Sequence, residues 1–147
     1  MEPDMMNLAD RMQRAVKLTT RTAVFLRADF ESFGRPSQIS VALKVLRERG
    51  VLARIGTGIY AKTRISSITG KAVPAGSLET LGLEALKKLG VPVNPSRATL
   101  EYNSGKSTQL PGKLVVNTGD RQISRKIRIG DRQLGYENNL RGPATAA

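Results

Sequence analysis

Gly105-Lys106-Ser107 has the residues that end a phosphate-binding loop, in which backbone amides cradle phosphates and the lysine reaches their oxygens. The full motif needs a glycine five residues before Gly105, and that position is Leu100. It also needs a helix starting at the lysine, so that amide groups point at phosphate. Pro111 and β-prone residues follow instead. The segment therefore reads as a loop touching a partner or a phosphate, not as an ATP site. Paired carboxylates are equally thin. Glu79 and Glu84 are five apart, off one helical face, and Glu101, Asp120 and Asp131 fall in separate turns or strands. None forms a general acid–base pair, and metal-dependent nuclease action on scattered carboxylates is a minor alternative. The chain has neither Cys nor His, which excludes disulfides, zinc held by Cys or His, thiol nucleophiles and Ser-His-Asp triads. The expectation is a protein without catalytic residues, cofactor or metal.

Charge points elsewhere. Lys and Arg number 24 against 12 Asp and Glu, a net charge of +12. A surface of that sign concentrates polyanions, and binding them gains from counterion release. The excess is spread along the chain, because residues 1–64 hold 12 basic and 6 acidic residues and residues 65–147 hold the same. Neither half is a basic tail on a neutral domain. No apolar run approaches the roughly 18 residues of a membrane span. Met1-Glu2-Pro3-Asp4 is acidic and opens no signal core. A cytoplasmic protein with no membrane partner is expected.

The cations with most to do lie around the segment 36–49. It opens on Pro36, which suits a first helical turn, and stops at Gly50. At 100° per residue Ile39, Ala42, Leu43 and Leu46 share one narrow face, and Ser37, Val41, Lys44 and Glu48 the opposite one, flanked by Gln38, Ser40 and Arg47. A helix that enters the major groove needs short polar side chains in its first turns that can reach base edges. Gln38 can serve adenine, Lys44 guanine or phosphate, and Val41 a thymine methyl. The plain alternative is a surface helix with a solvated polar face. Strands at Val51–Ile55 and Ile59–Lys62 follow, joined by Gly56-Thr57-Gly58, whose glycines permit the positive φ of a tight hairpin. This hairpin carries Arg54 and Thr57, then Lys62 and Arg64. Helix, short turn, helix and Gly-turned hairpin is the order of a winged helix, with the hairpin as wing on phosphates or in the minor groove.

The elements that must hold this site precede it. Met5, Leu8, Ala9, Met12, Ala15 and Val16 give residues 4–18 an amphipathic helical rhythm. Residues 22–26 are β-prone, and Asp29 can cap a brief turn ending at Gly34. The domain is expected to close at residue 64, with 65–137 a second region. There, residues 63–77 read as a Ser-, Thr-, Gly- and Pro-rich loop. Leu78–Leu89 reads as a helix, and Thr99–Tyr102, Leu114–Asn117, Ile123–Ile129 and Gln133–Tyr136 as antiparallel strands, the last pair turned at Gly130-Asp131. Residues 138–147 have little to bury and read as a disordered tail. The fold class is thus α+β. Within Ile123–Ile129 and just before it, Arg121, Arg125, Lys126 and Arg128 make a strongly basic strand. It is either a second phosphate-contacting surface, a dock for an acidic partner, or an edge strand protected by its charges.

The run Ser37-Gln38-Ile39-Ser40-Val41-Ala42-Leu43 with Val51-Leu52-Ala53-Arg54-Ile55-Gly56-Thr57-Gly58-Ile59-Tyr60 resembles the N-terminal domain of AbiEi-type abortive-infection antitoxins. The short form of that group continues similarly, with Ala85-Leu86-Lys87-Lys88-Leu89-Gly90, Tyr102-Asn103-Ser104-Gly105 and Ser107-Thr108-Gln109. The resemblance spans residues from about 5 to 137. It implies a type IV toxin–antitoxin antitoxin that represses its own operon, beside a nucleotidyltransferase-like toxin. A repressor of this kind reads paired half-sites on double-stranded operator DNA as a homodimer. The competing readings are an RNA- or ribosome-associated basic protein, and an adaptor that uses a winged helix for protein contact.

Overall fold

Asn7 starts the first helix: its side-chain oxygen accepts the amide of Asp10 at 2.8 Å, satisfying one of the donors that a helix start leaves unpaired. The computed structural model describes residues 7–95, Gly105 and residues 114–139. Helix α1 runs Leu8–Leu18 and buries Ala9, Met12 and Val16. Part of the expected start, residues 4–6, lies outside the described residues. Strand β1, Val24–Leu26, passes directly into a 3-10 helix, Arg27–Phe33. The turn thus starts two residues before Asp29, which caps it not as its first residue but from the third helical position, accepting the amide of Leu26 at 2.9 Å. Phe30 is buried and meets the rings of Phe25 and Phe33 at 5.9 and 5.8 Å between centroids.

Helix α2, Pro36–Glu48, buries Ile39, Ala42, Leu43 and Leu46, the stripe its sequence predicts. At its end Gly50 donates to the Arg47 carbonyl at 3.0 Å and Val51 to that of Leu46 at 2.9 Å. This paired closure needs a left-handed residue, and Gly50 has φ +74. A Cβ there would also stand 3.1 Å from the Ala72 Cβ. Gly50→Ala should therefore destabilise the N-terminal unit by about 1–2 kcal/mol, the strain of a left-handed L-residue. The check is the thermal midpoint of the variant, which should fall by several degrees.

Strands β2, Leu52–Gly56, and β3, Ile59–Ile65, form the expected hairpin, with Arg54 opposite Tyr60, Gly56 opposite Ile59 and a register shift between them. Gly58 takes φ +70 in the turn. β1 pairs antiparallel on β3, Leu26 opposite Ile59. β3 is three residues longer than its sequence suggests. It is extended by β4, Ala72–Pro74, which places Thr63 opposite Pro74 and Ile65 opposite Ala72. The segment 63–77 is thus not a plain loop. A ladder available only in the folded state overrides its turn-rich composition. Between these strands Ser66 closes the turn: its hydroxyl accepts the amides of Ile68 and Thr69 at 3.2 and 3.3 Å. The N-terminal unit consequently extends to Ser77 rather than stopping at residue 64. Its core gathers Met12, Val16, Phe25, Phe30, Leu43, Leu46, Leu52 and Tyr60 around the α2 stripe.

The second unit opens with α3, Leu78–Lys88, which buries Leu78, Leu81, Ala85 and Leu86 and closes on Gly90 as α2 closes on Gly50. Leu134 and Ile127 pack over Gly82, where a Cβ would meet Leu134 Cδ2 at 3.4 Å, an ordinary contact. Three strands make a small sheet: β5, Asn94–Pro95, β6, Val115–Asn117, and β9, Gly135–Glu137. β5 and β6 are antiparallel, but β6 and β9 run parallel, an exception to the expected antiparallel pattern. A hairpin of β7, Arg128–Ile129, and β8, Arg132–Gln133, turns at Gly130-Asp131 as expected. The strand expected over Ile123–Ile129 is confined to its last residues, because residues 121–126 join no ladder among the described residues. Asn138 and Asn139 are not part of a loose tail. The amide of Asn139 donates to the Gly119 carbonyl at 2.7 Å, and its side chain accepts from Asn117 at 3.1 Å. The rest of the expected tail and the expected strand Thr99–Tyr102 lie outside the described residues.

Candidate nucleic-acid interface

Because α2 buries one stripe, its opposite face must meet solvent. Ser37, Gln38, Ser40, Val41, Lys44 and Arg47 are all exposed. Val41 is the unusual member, a branched apolar side chain 63% exposed among polar neighbours. Not every polar atom on this face is idle. Gln38 Oε1 accepts the Arg35 amide at 3.1 Å, and the Ser40 hydroxyl donates to the Pro36 carbonyl at 3.1 Å. Gln38 thus helps to start the helix from which its sequence position would have it read bases, and its oxygen is already engaged.

Arg27 links the hairpin turn to the start of this helix. The Arg27 amide donates to the Gly58 carbonyl in the turn at 2.9 Å. Its guanidinium donates to the Pro36 carbonyl in the first turn of α2 at 2.6 Å. One residue therefore ties the hairpin tip to the end of α2 that carries Ser37, Gln38 and Ser40. Arg35, exposed at the N-cap, stands at the same end. Neither arginine is among the site residues that the sequence marks. Pro36 could have flagged Arg35 as the cap, but no local signal links Arg27 with Gly58, thirty-one residues on.

Arg54 and Thr57 belong to the tip: Arg54 donates to the Gly56 carbonyl and the Thr57 hydroxyl, both at 3.3 Å, so the guanidinium folds over the turn it precedes. Three other expected residues fall away from it. Arg47 is ten residues beyond Ser37, about 15 Å along the helix at 1.5 Å per residue. Arg64 sits opposite Val73, five residues past Ile59, about 17 Å from the tip at strand rise. Lys62 is half-buried opposite Leu52, and its ammonium donates to the Thr19 carbonyl, which fastens the end of α1 to β3. With Val16, Lys17, Gly50, Val51 and Thr63 it lines an open cavity of about 360 Å³ at the hairpin base. The residues gathered at one end are therefore Ser37, Gln38, Ser40, Arg54 and Thr57, joined by Arg27 and Arg35, with Val41 next to Ser40 on the same exposed face and Lys44 about one turn beyond it.

In the second unit Arg121, Arg125, Lys126 and Arg128 are exposed. The Glu79 carboxylate is paired with Arg132. Among the described residues no group of three or more acidic side chains is placed to hold a metal ion. No described helix is long and apolar enough to cross a membrane. Of the Gly-Lys-Ser match only Gly105 is described, with φ +81. The remaining residues of that match, with Tyr102, Asn103 and Ser104 before it and Thr108 and Gln109 after it, lie outside the described residues.

No curated protein matches the chain. A family model does, over residues 11–142, which takes in the whole of α2 and its hairpin as well as the second unit's basic segment. By that match the chain belongs to DUF6088, a family of unknown function.

Proposed function

We propose that this protein binds double-stranded DNA, with α2 in the major groove and the β2–β3 hairpin as a wing on the backbone, and that it represses its own operon. The observation that carries this reading is the Arg27 bridge, which sets the wing turn beside the first turn of an exposed polar helix face. Side chains that read bases and side chains that grip phosphates must act from one end at a fixed spacing. The operon role rests on the AbiEi-type resemblance: a cytoplasmic, non-enzymatic antitoxin, homodimeric on its operator, with a nucleotidyltransferase-like toxin as cognate partner.

The test is fluorescence anisotropy on the protein's own promoter and on a scrambled duplex, over a salt series. Promoter affinity should exceed scrambled affinity, and log affinity should fall steeply with log salt. Equal affinity for both at every salt concentration would reject sequence-specific repression. Tighter binding to an RNA hairpin than to either duplex would favour the RNA-associated alternative. Arg27→Met probes the bridge. It should relax base preference in the promoter while leaving the salt slope nearly unchanged, because its guanidinium holds a carbonyl rather than a phosphate. A slope lowered by about one unit would instead make Arg27 a phosphate contact.

A further inference from the structure

The basic segment of the second unit is unaccounted for by the winged-helix reading. From Arg121 to Arg128 it carries four cations and no carboxylate. Its exposed side chains are Arg121, Gln122, Ser124, Arg125, Lys126 and Arg128, all polar. Its two apolar residues turn away from solvent: Ile123 is half-buried, and Ile127 is 0% exposed against the packing around Gly82. Protein-binding surfaces keep an apolar or aromatic anchor at their centre, and this ridge offers none. Arg, Lys, Ser and Gln side chains are those that contact phosphate oxygens.

The ridge backbone is tied down at several points, although among the described residues only Ile127 and Arg128, at its end, join a ladder. The Thr118 hydroxyl donates to the Arg121 carbonyl at 2.6 Å, and the Arg121 guanidinium to the Gly90 carbonyl at 2.8 Å. The Tyr136 hydroxyl donates to the Arg125 carbonyl at 2.5 Å, and the Leu134 amide to that of Ile127 at 2.9 Å. Burial raises the Tyr136 pKa above its ordinary 10, with the Arg125 charge opposing, so the hydroxyl keeps its proton and its bond at neutral pH. Cations on a fixed backbone lose less conformational freedom on binding than cations on a loose tail.

We propose that the ridge Arg121–Arg128 is a second DNA-contacting surface, which grips duplex phosphates without reading sequence. The choice of duplex DNA as the polyanion rests on the reading of the N-terminal unit; the ridge and its chemistry do not. The experiment uses the full chain with Arg125→Ser, Lys126→Ser and Arg128→Ser together, on promoter and scrambled duplexes over a salt series. The salt slope should become shallower by roughly 2.7, about 0.9 for each phosphate that is no longer neutralised. Both duplexes should lose affinity by the same factor, and single-base preferences should not change. An unchanged slope, with promoter preference intact, would overturn the ridge and leave the winged helix standing. A shallower slope in a protein that never prefers its promoter would sustain the ridge and reject the winged-helix reading. Tighter binding to an RNA hairpin than to duplex, abolished in the triple variant, would overturn DNA as its target. A thermal melt confirms folding. If the triple variant melts early, Lys126→Ser and Arg128→Ser alone should each lower the slope by about one unit, and two unchanged slopes would overturn the proposal.

Discussion

Val41→Glu should abolish promoter recognition while leaving the fold intact. Val41 stands mid-face on α2 with most of its side chain in solvent. Its replacement fills no cavity and empties none, and surface changes of this kind alter stability by less than about 0.5 kcal/mol. In the proposed complex, however, the same position lies in the major groove. A carboxylate there meets the phosphate field, and like-charge juxtaposition at an interface costs several kcal/mol. The thymine methyl is also deprived of its apolar neighbour. Promoter affinity should fall on the order of 100-fold or more, since 1.4 kcal/mol is tenfold. Val41→Ala, which removes only the apolar neighbour, should cost far less. Anisotropy at fixed salt separates the two, and a thermal melt within a degree or two of wild type confirms the fold. Wild-type promoter affinity in Val41→Glu would remove α2 from the DNA surface altogether.

Leu46→Ala should have the largest effect on stability, and a different signature. Leu46 is 0% exposed on the buried face of α2, in the cluster with Met12, Val16 and Leu52. Truncation there forfeits the transfer energy of the side chain and leaves a cavity, together about 2–5 kcal/mol. That is a large share of the 5–15 kcal/mol that holds an ordinary domain. The midpoint of denaturant unfolding should drop markedly, and DNA binding should decline in proportion to the unfolded fraction. Leu46→Met, close in volume, should cost less than about 1.5 kcal/mol. If Leu46→Ala melted like wild type, α2 would not be packed through this stripe, and the face opposite it would lose its claim to be the exposed one.

The two variants lie five residues apart on one helix, and their contrast separates reading from folding. The contrast is built into the sequence. A period of 3.6 residues divides Ile39, Ala42, Leu43 and Leu46 from Ser37, Val41 and Lys44 without reference to any other element. Pro36 and Gly50 mark both ends, and Gly58 marks the hairpin turn, because those positions need a fixed φ or a positive one. The same logic identifies α3 from Leu78, Leu81, Ala85 and Leu86, with Gly90 as its stop. Local chemistry is sufficient wherever an element is stabilised by its own periodicity and its own caps.

It is not sufficient where an element exists only because another chain segment completes it. The sequence predicts a loop at β4, because Ala72, Val73 and Pro74 carry no strand signal of their own; their ladder is supplied by Thr63, Arg64 and Ile65. Alternating side chains predict a strand running back from Ile129 to Ile123, yet among the described residues no strand pairs with its first half, where the Tyr136 hydroxyl holds the Arg125 carbonyl instead. The site divides along the same line. The types of residue that can meet DNA are legible, since charge and exposure follow from the helical period. Their grouping is not, because the Lys62 ammonium is drawn away to the Thr19 carbonyl, and Arg27 meets Gly58 only once β1 has paired with β3. The polar face of α2, its two ends and the Gly58 and Gly130 turns are legible in the residues themselves. The tertiary structure decided which cations share an end with that face, because long-range pairing, not local periodicity, sets distances between residues far apart in the chain.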